Sequence, residues 1–210
     1  MDELRILAFG DSLTEGYYFF GRKFHPYSLR LQSLVDSKLT SEKSTNATKN
    51  LPSKISVCQH GVSGERTSSM VQRLPKVIES YGPFHFMVFL GGTNDLGDDY
   101  NKVFDNIVNI IESARANGIT PVLVTIPELS AERKFSDLYE SRTQLNQRIF
   151  NYSNEHKLPL VDLAVHLPMY STKNHEETLK YWEHDGLHMT PEGYDRFADL
   201  IFEQLGPILF

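Results

Sequence analysis

Apolar residues gather in five short runs, at residues 4–9, 55–58, 84–90, 120–126 and 158–163. Each is too short for a stable helix and largely apolar at consecutive positions, the pattern of a central strand covered on both faces. A polar or glycine-bearing turn follows each run, and a helical pattern follows most of them. Val103, Phe104, Ile107, Ile110, Ile111 and Ala114 recur at helical spacing, and Asn117-Gly118 offers a left-handed cap beyond them. Residues 138–152 predict a second helix with Leu145, Ile149 and Tyr152 on one face. In the last helix Thr190 can cap, Pro191 suits the first position, and Tyr194, Phe197, Ala198, Ile201, Phe202 and Leu205 form a stripe. Gly206-Pro207 is expected to end it.

Alternating strands and helices predict a doubly wound, three-layer α/β/α sandwich, with any ligand beyond the carboxyl ends of the strands. The 210 residues predict one domain over 1–210, since a domain is typically about 150 residues. The polar segment 40–52 is expected to be a flexible internal loop.

Composition narrows the chemistry. One cysteine, Cys58, permits neither an internal disulfide nor a cysteine-rich metal site. A formal charge of −6, with basic residues dispersed, argues against nucleic-acid partners. No stretch has the roughly 20 apolar residues of a membrane span, and the acidic start Met1-Asp2-Glu3 is unlike a signal peptide, so a cytoplasmic protein is expected. The sequons at Asn46 and Asn151 are read as chance.

Candidate chemistry lies at the strand ends. The first run leads into Gly10-Asp11-Ser12-Leu13-Thr14, which sets a serine at the edge of a central strand, either as a nucleophile or as a helix cap. The Gly-x-Ser-x-Gly elbow is absent, because Thr14 occupies the second glycine position. His60-Gly61-Val62-Ser63-Gly64 and Gly91-Gly92-Thr93-Asn94-Asp95 follow the next two runs. A glycine N–H and an asparagine amide of this kind can stabilise an oxyanion, though both are also ordinary turn residues. Near the C-terminus, Asp185 and His188 can supply the oriented imidazole that a serine nucleophile needs. His184 and His188 have the spacing of a zincin pair, but Gly186 and Pro191 argue against the helix such a site uses, so no metal is expected.

These blocks together strongly resemble the SGNH hydrolases, the GDSL esterase/lipase family: Gly10-Asp11-Ser12-Leu13, Gly61 to Gly64, Gly92-Thr93-Asn94-Asp95 and Asp185-Gly186-Leu187-His188, in that order. The second block departs from many members, with Gln59-His60 ahead of its glycines. The resemblance implies a flavodoxin-like sandwich with a five-stranded parallel sheet. It also implies Ser12 as nucleophile, His188 as base, Asp185 as its partner, and an oxyanion hole from the Ser12 and Gly64 N–H groups and the Asn94 side chain.

Asp11 and Asp95 are expected to brace the loops. Tyr17, Tyr18 and Trp182, with Phe19, Phe20 and Phe24, are candidates for a substrate pocket, although aromatics of an α/β protein are as often core. The connections at 127–136 and 165–181 are the expected specificity elements. The expected reaction is hydrolysis of a small carboxylic ester through an acyl-enzyme without a cofactor, its rate rising with pH over about 6 to 7.5. Acyl transfer from the same site is one alternative. A catalytically silent flavodoxin-like binding domain is another, although no phosphate-binding glycine motif supports it.

Overall fold

The computed structural model describes residues 2–45, 50–171 and 175–210. Strand β1 (Glu3–Gly10) runs into one helical turn, α1 (Ser12–Glu15), and a small hairpin of β2 (Tyr17–Tyr18) and β3 (Lys23–Phe24). Helix α2 (Tyr27–Thr45), β4 (Lys54–Gly61), α3 (Thr67–Tyr81), β5 (Phe86–Leu90), α4 (Tyr100–Ala116) and β6 (Thr120–Val124) follow. The chain continues through α5 (Ser136–His156), β7 (Leu160–Val161), the short α6 (Leu163–His166) and α7 (His175–Leu179), and ends with α8 (Pro191–Leu209).

The large sheet has the order β4-β1-β5-β6-β7, and every neighbouring pair is parallel. This is the expected flavodoxin-like arrangement. The order reverses at β1, so the crevice of such a sheet opens at the carboxyl end of that strand.

Consecutive apolar residues in β1 serve opposite faces. Ile6 and Ala8 pack with Tyr27, Leu31 and Val35 of α2 and with Phe197 and Ile201 of α8. Leu7 and Phe9 pack with Met70 and Leu74 of α3 and Ile107 and Ile110 of α4. All four strand residues are fully buried, each large one contributing about 1.5–3 kcal/mol relative to exposure. The two apolar layers hold the sheet edge that carries Ser12.

Three expectations need correction. Residues 40–45 of the expected loop belong to α2, where Lys38 pairs with Glu42 and the hydroxyls of Thr40, Ser44 and Thr45 bond to carbonyls one turn back. The sequon residues Asn46 to Thr48 lie outside the described residues. Helix α8 passes through Gly206-Pro207 to Leu209, because glycine has no Cβ to clash with the ring of the proline after it. The run at 158–163 pairs only over Leu160–Val161, since Pro159 has no N–H to donate and Asp162 instead accepts from the Thr125 hydroxyl.

The turn between β2 and β3 is unusual. Phe19 (φ 50°) and Phe20 (φ 56°) both lie in the left-handed region, and the Gly21 N–H closes the turn on the Tyr18 carbonyl at 3.1 Å. Such a turn favours Asn-Gly, and a bulky residue in a sparsely populated conformation costs about 1–3 kcal/mol. Among the described residues no helix is long and apolar enough to cross a membrane.

Candidate active site

The turn after β1 sets the nucleophile candidate. Asp11, rather than Ser12, caps α1, because its carboxylate accepts the Leu13 N–H at 3.0 Å. Ser12 is thereby free to present its hydroxyl, and it is buried. Its Oγ lies 2.9 Å from His188 Nε2, and His188 Nδ1 lies 2.7 Å from Asp185 Oδ2. Residues 176 positions apart thus form one hydrogen-bonded chain. A proton on Nδ1, donated to Asp185, leaves the Nε2 lone pair facing the serine hydroxyl, the tautomer a general base requires.

Local geometry rather than a helix delivers Asp185 and His188 together. Asp185 Oδ1 accepts the N–H groups of Leu187 and His188, both at 2.9 Å, which folds the loop over the carboxylate. The Glu183 N–H to His188 carbonyl bond (2.8 Å) and the Trp182–Met189 bridge close the loop at its base. Gly186 is left-handed (φ 69°), and a Cβ there would meet Ser130 Oγ at 1.9 Å, so the loop seats closely on the turn Ser130–Arg133. Burial alone would raise the Asp185 carboxyl, but the hydrogen bonds from the His188 ring and the two backbone N–H groups outweigh it and hold it at about 2.

The second and third loops meet beside Ser12. Asn94 Nδ2 donates to the Glu65 carbonyl at 3.0 Å and approaches Asp11 Oδ2 at 3.4 Å. Neither the Ser12 N–H nor the Gly64 N–H has an acceptor among the described residues. Gly64 is left-handed (φ 74°) and faces open space. Glu15 fixes the same loop from α1 by accepting the Ser63 N–H at 2.9 Å and the Ser63 hydroxyl.

Asp95 accepts the Thr67 hydroxyl at 2.8 Å and the Thr67 N–H at 3.1 Å, which ties the third loop to the start of α3. Asp11 is wholly buried, and that burial pushes its carboxyl up to about 7 against the pull of the Leu13 N–H and His188.

Of the pocket candidates, Tyr17 lies against the His188 imidazole, ring centroids 4.3 Å apart. Tyr18 is half-buried against the core. Trp182 is buried in the core and borders a cavity of about 240 Å³ on the flank of the Asp185 loop, with Met169, Tyr170, Ser130 and Arg133 among its walls. The His184 side chain lines that cavity instead of joining His188, both of whose ring nitrogens are engaged.

Two supporting clusters escape sequence reasoning. Arg73 on α3 binds the Glu65 carboxylate through Nε (2.8 Å) and Nη2 (2.5 Å). It also donates to the carbonyls of His60 and Gly10 and covers the Phe9 ring. The helix that carries it is legible in the spacing of Thr67, Met70, Leu74 and Val77, but no motif marks Arg73. On the other side, buried Glu132 accepts from Arg142 Nε and the Tyr170 hydroxyl, both at 2.6 Å, and buried Glu128 accepts the N–H groups of Met169, Tyr170 and Ser171. These acids sit in or beside the connections after β6 and hold the walls around the Asp185 loop.

A parallel sheet reversing at β1, with a Ser–His–Asp chain at its carboxyl edge, is the arrangement a serine hydrolase on a flavodoxin-like sheet would use. Residues 8–196 match the GDSL-like lipase/acylhydrolase family. The chain belongs to that family, and it is a carboxylic ester hydrolase. Similar solved structures include a lipase/acylhydrolase from Enterococcus faecalis, with 21% identity, 99% of this chain and 97% of that one covered, and a TM-score of 0.74. The acetyl xylan esterase AlAXEase shares 19% identity, with 95% and 98% covered and a TM-score of 0.72. The psychrotrophic esterase EstA from Pseudoalteromonas sp. shares 19%, with 98% of each chain covered and a TM-score of 0.64. A search of curated proteins found no match.

Proposed function

We propose that the enzyme hydrolyses small carboxylic esters, with acetyl, short- to medium-chain acyl or aryl groups, through an acyl-enzyme on Ser12. The observation that carries this reading is the continuous chain from Ser12 Oγ through His188 to Asp185, with contacts of 2.9 and 2.7 Å. Ser12 attacks the ester carbonyl carbon while His188 Nε2 takes its proton, and Asp185 stabilises the resulting imidazolium.

The developing oxyanion is met by the Ser12 and Gly64 N–H groups and by Asn94, whose 3.4 Å contact with Asp11 is the weaker of its two and the one to exchange. His188 then returns the proton to the departing alcohol. A water molecule, losing a proton to the same nitrogen, attacks the acyl carbon; the bond to Ser12 Oγ then breaks, His188 returns the proton to Oγ, and the acid leaves. No step calls on a metal or a cofactor. The fold that unites Ser12 with His188 supports reading 1–210 as one catalytic domain.

The test is a panel of chromogenic esters of increasing acyl length with the wild type and Ser12→Ala. The substitution should lower kcat by about 10⁴–10⁶-fold for every ester that the wild type hydrolyses. Equal turnover by the two proteins would overturn the assignment. The acyl-length profile of the wild type then measures the pocket.

A further inference from the structure

We propose that the β2–β3 hairpin is a docking element that seats the enzyme on an anionic lipid surface, with the active site held beside that surface. The root of the hairpin touches the catalytic group, since the Tyr17 ring lies 4.3 Å from that of His188. Its tip projects outward. Phe19 is 46% exposed, Phe20 74% and Phe24, on the return strand, 50%.

The conformation of the tip makes this exposure informative. Both phenylalanines occupy the left-handed region in a turn that Asn-Gly would adopt without strain. Packing does not explain them, because Phe20 is mostly in solvent and its ring neighbour is Phe19, centroids 6.3 Å apart. A strained pair of exposed aromatics beside an active site points to a surface that covers them.

Charge identifies that surface. The chain carries a formal −6, yet no Asp or Glu occurs from Gly16 to Val35, and Arg22 and Lys23 follow the two phenylalanines across Gly21. Neither cation forms an ion pair among the described residues, and Lys23 Nζ lies 5.4 Å above the Phe19 ring. Asp195 is engaged by His25, the residue after β3, at 2.8 Å. Aromatic rings flanked by lysine and arginine are the pairing that enters an anionic bilayer interface, the rings among the headgroups and the cations on the phosphates.

The test is co-sedimentation of the full chain with vesicles of phosphatidylcholine alone and of phosphatidylcholine with phosphatidylserine. Binding does not depend on the proposed reaction, so a failed esterase assay and a failed docking assay are distinguishable. The wild type should partition at least about tenfold more strongly onto the anionic vesicles, and less as salt is raised. Two double variants share the test. Phe19→Asn with Phe20→Gly suits the turn and should melt no lower than the wild type, yet lose about tenfold or more of the partitioning. Arg22→Glu with Lys23→Glu should abolish the preference for anionic vesicles. Hydrolysis of a water-soluble ester by the Arg22→Glu, Lys23→Glu variant should match the wild type. Absence of wild-type binding, equal binding to neutral vesicles, or unchanged partitioning of either variant would overturn the proposal.

Discussion

The two sides of Ser12, the proposed oxyanion side and the proposed acid–base side, are held by different physics. On the oxyanion side, the loops after β4 and β5 hang on Arg73, which binds Glu65 and two backbone carbonyls while remaining partly solvated. On the acid–base side, the Asp185–His188 loop seats on Ser130, whose turn is fixed by the deeply buried Glu132–Arg142 pair. The carboxylates at the two sides diverge accordingly. Asp185 is held at about 2 by its donors, while burial pushes Asp11 up to about 7. Environments that separate two carboxyl groups in this way assign them different duties: an ionised partner for the imidazole, and a buried brace that spends part of its time protonated.

The largest expected effect contrasts the two arginines. Arg142→Ala strands the Glu132 carboxylate, whose side chain is 0% exposed, and should cost about 3–5 kcal/mol of stability. Arg73→Ala leaves a carboxylate that is 9% exposed and beside water, so it should cost about 1–3 kcal/mol. In activity the order should reverse, because the Glu65 carbonyl positions Asn94 directly while Arg142 acts through Ser130 and Gly186. Denaturant titration and kcat per folded molecule measure both. If Arg142→Ala were both the less destabilised and the less active variant, the contrast would fail.

Asn94→Ala asks whether the oxyanion side is chemical or only architectural. Loss of one donor should lower kcat by about 10²–10³-fold, equivalent to about 2.7–4 kcal/mol, with little change in KM. A stability loss with unchanged kcat per folded molecule would make Asn94 a strut for Glu65 and nothing more.

What the sequence discloses divides along the same line. Ser12, Gly64 and Asn94 stand in short turns at strand ends, and Asp185 and His188 in one loop ahead of α8, where glycine, turn geometry and chemistry coincide within a few residues, so local pattern exposes them. The sheet was equally legible, because β1 and β5 are apolar on both faces. Arg73, Glu132 and Arg142 were not. Each acquires its role from a partner eight or ten positions away on another element, and a charged residue on a helix reads as a solvated one until the fold buries it. The polarity of 40–45 misled for a related reason, since side-chain bonds within α2 satisfy a helix that carries little apolar content.

The smallest effect, and the finest probe of the divergence, is the pH dependence of Asp11→Asn. The wild-type carboxyl titrates near 7 when folded and near 3.9 when unfolded, so the folded state holds its proton longer. Below about pH 3 both states are protonated and the group is neutral to stability; as pH rises toward 7 the unfolded chain ionises first and the folded state loses ground. Asparagine keeps the acceptor for the Leu13 N–H but never ionises, although its amide would face the Asn94 amide where a carboxylate oxygen now stands. The variant should therefore start at or below the wild type near pH 4.5. It should gain on the wild type by about 2–4 kcal/mol by pH 8, read from paired urea titrations across that range. A stability difference that stayed constant with pH would mean that Asp11 is ionised throughout, and that the oxyanion side holds its carboxylate in the same way as the acid–base side.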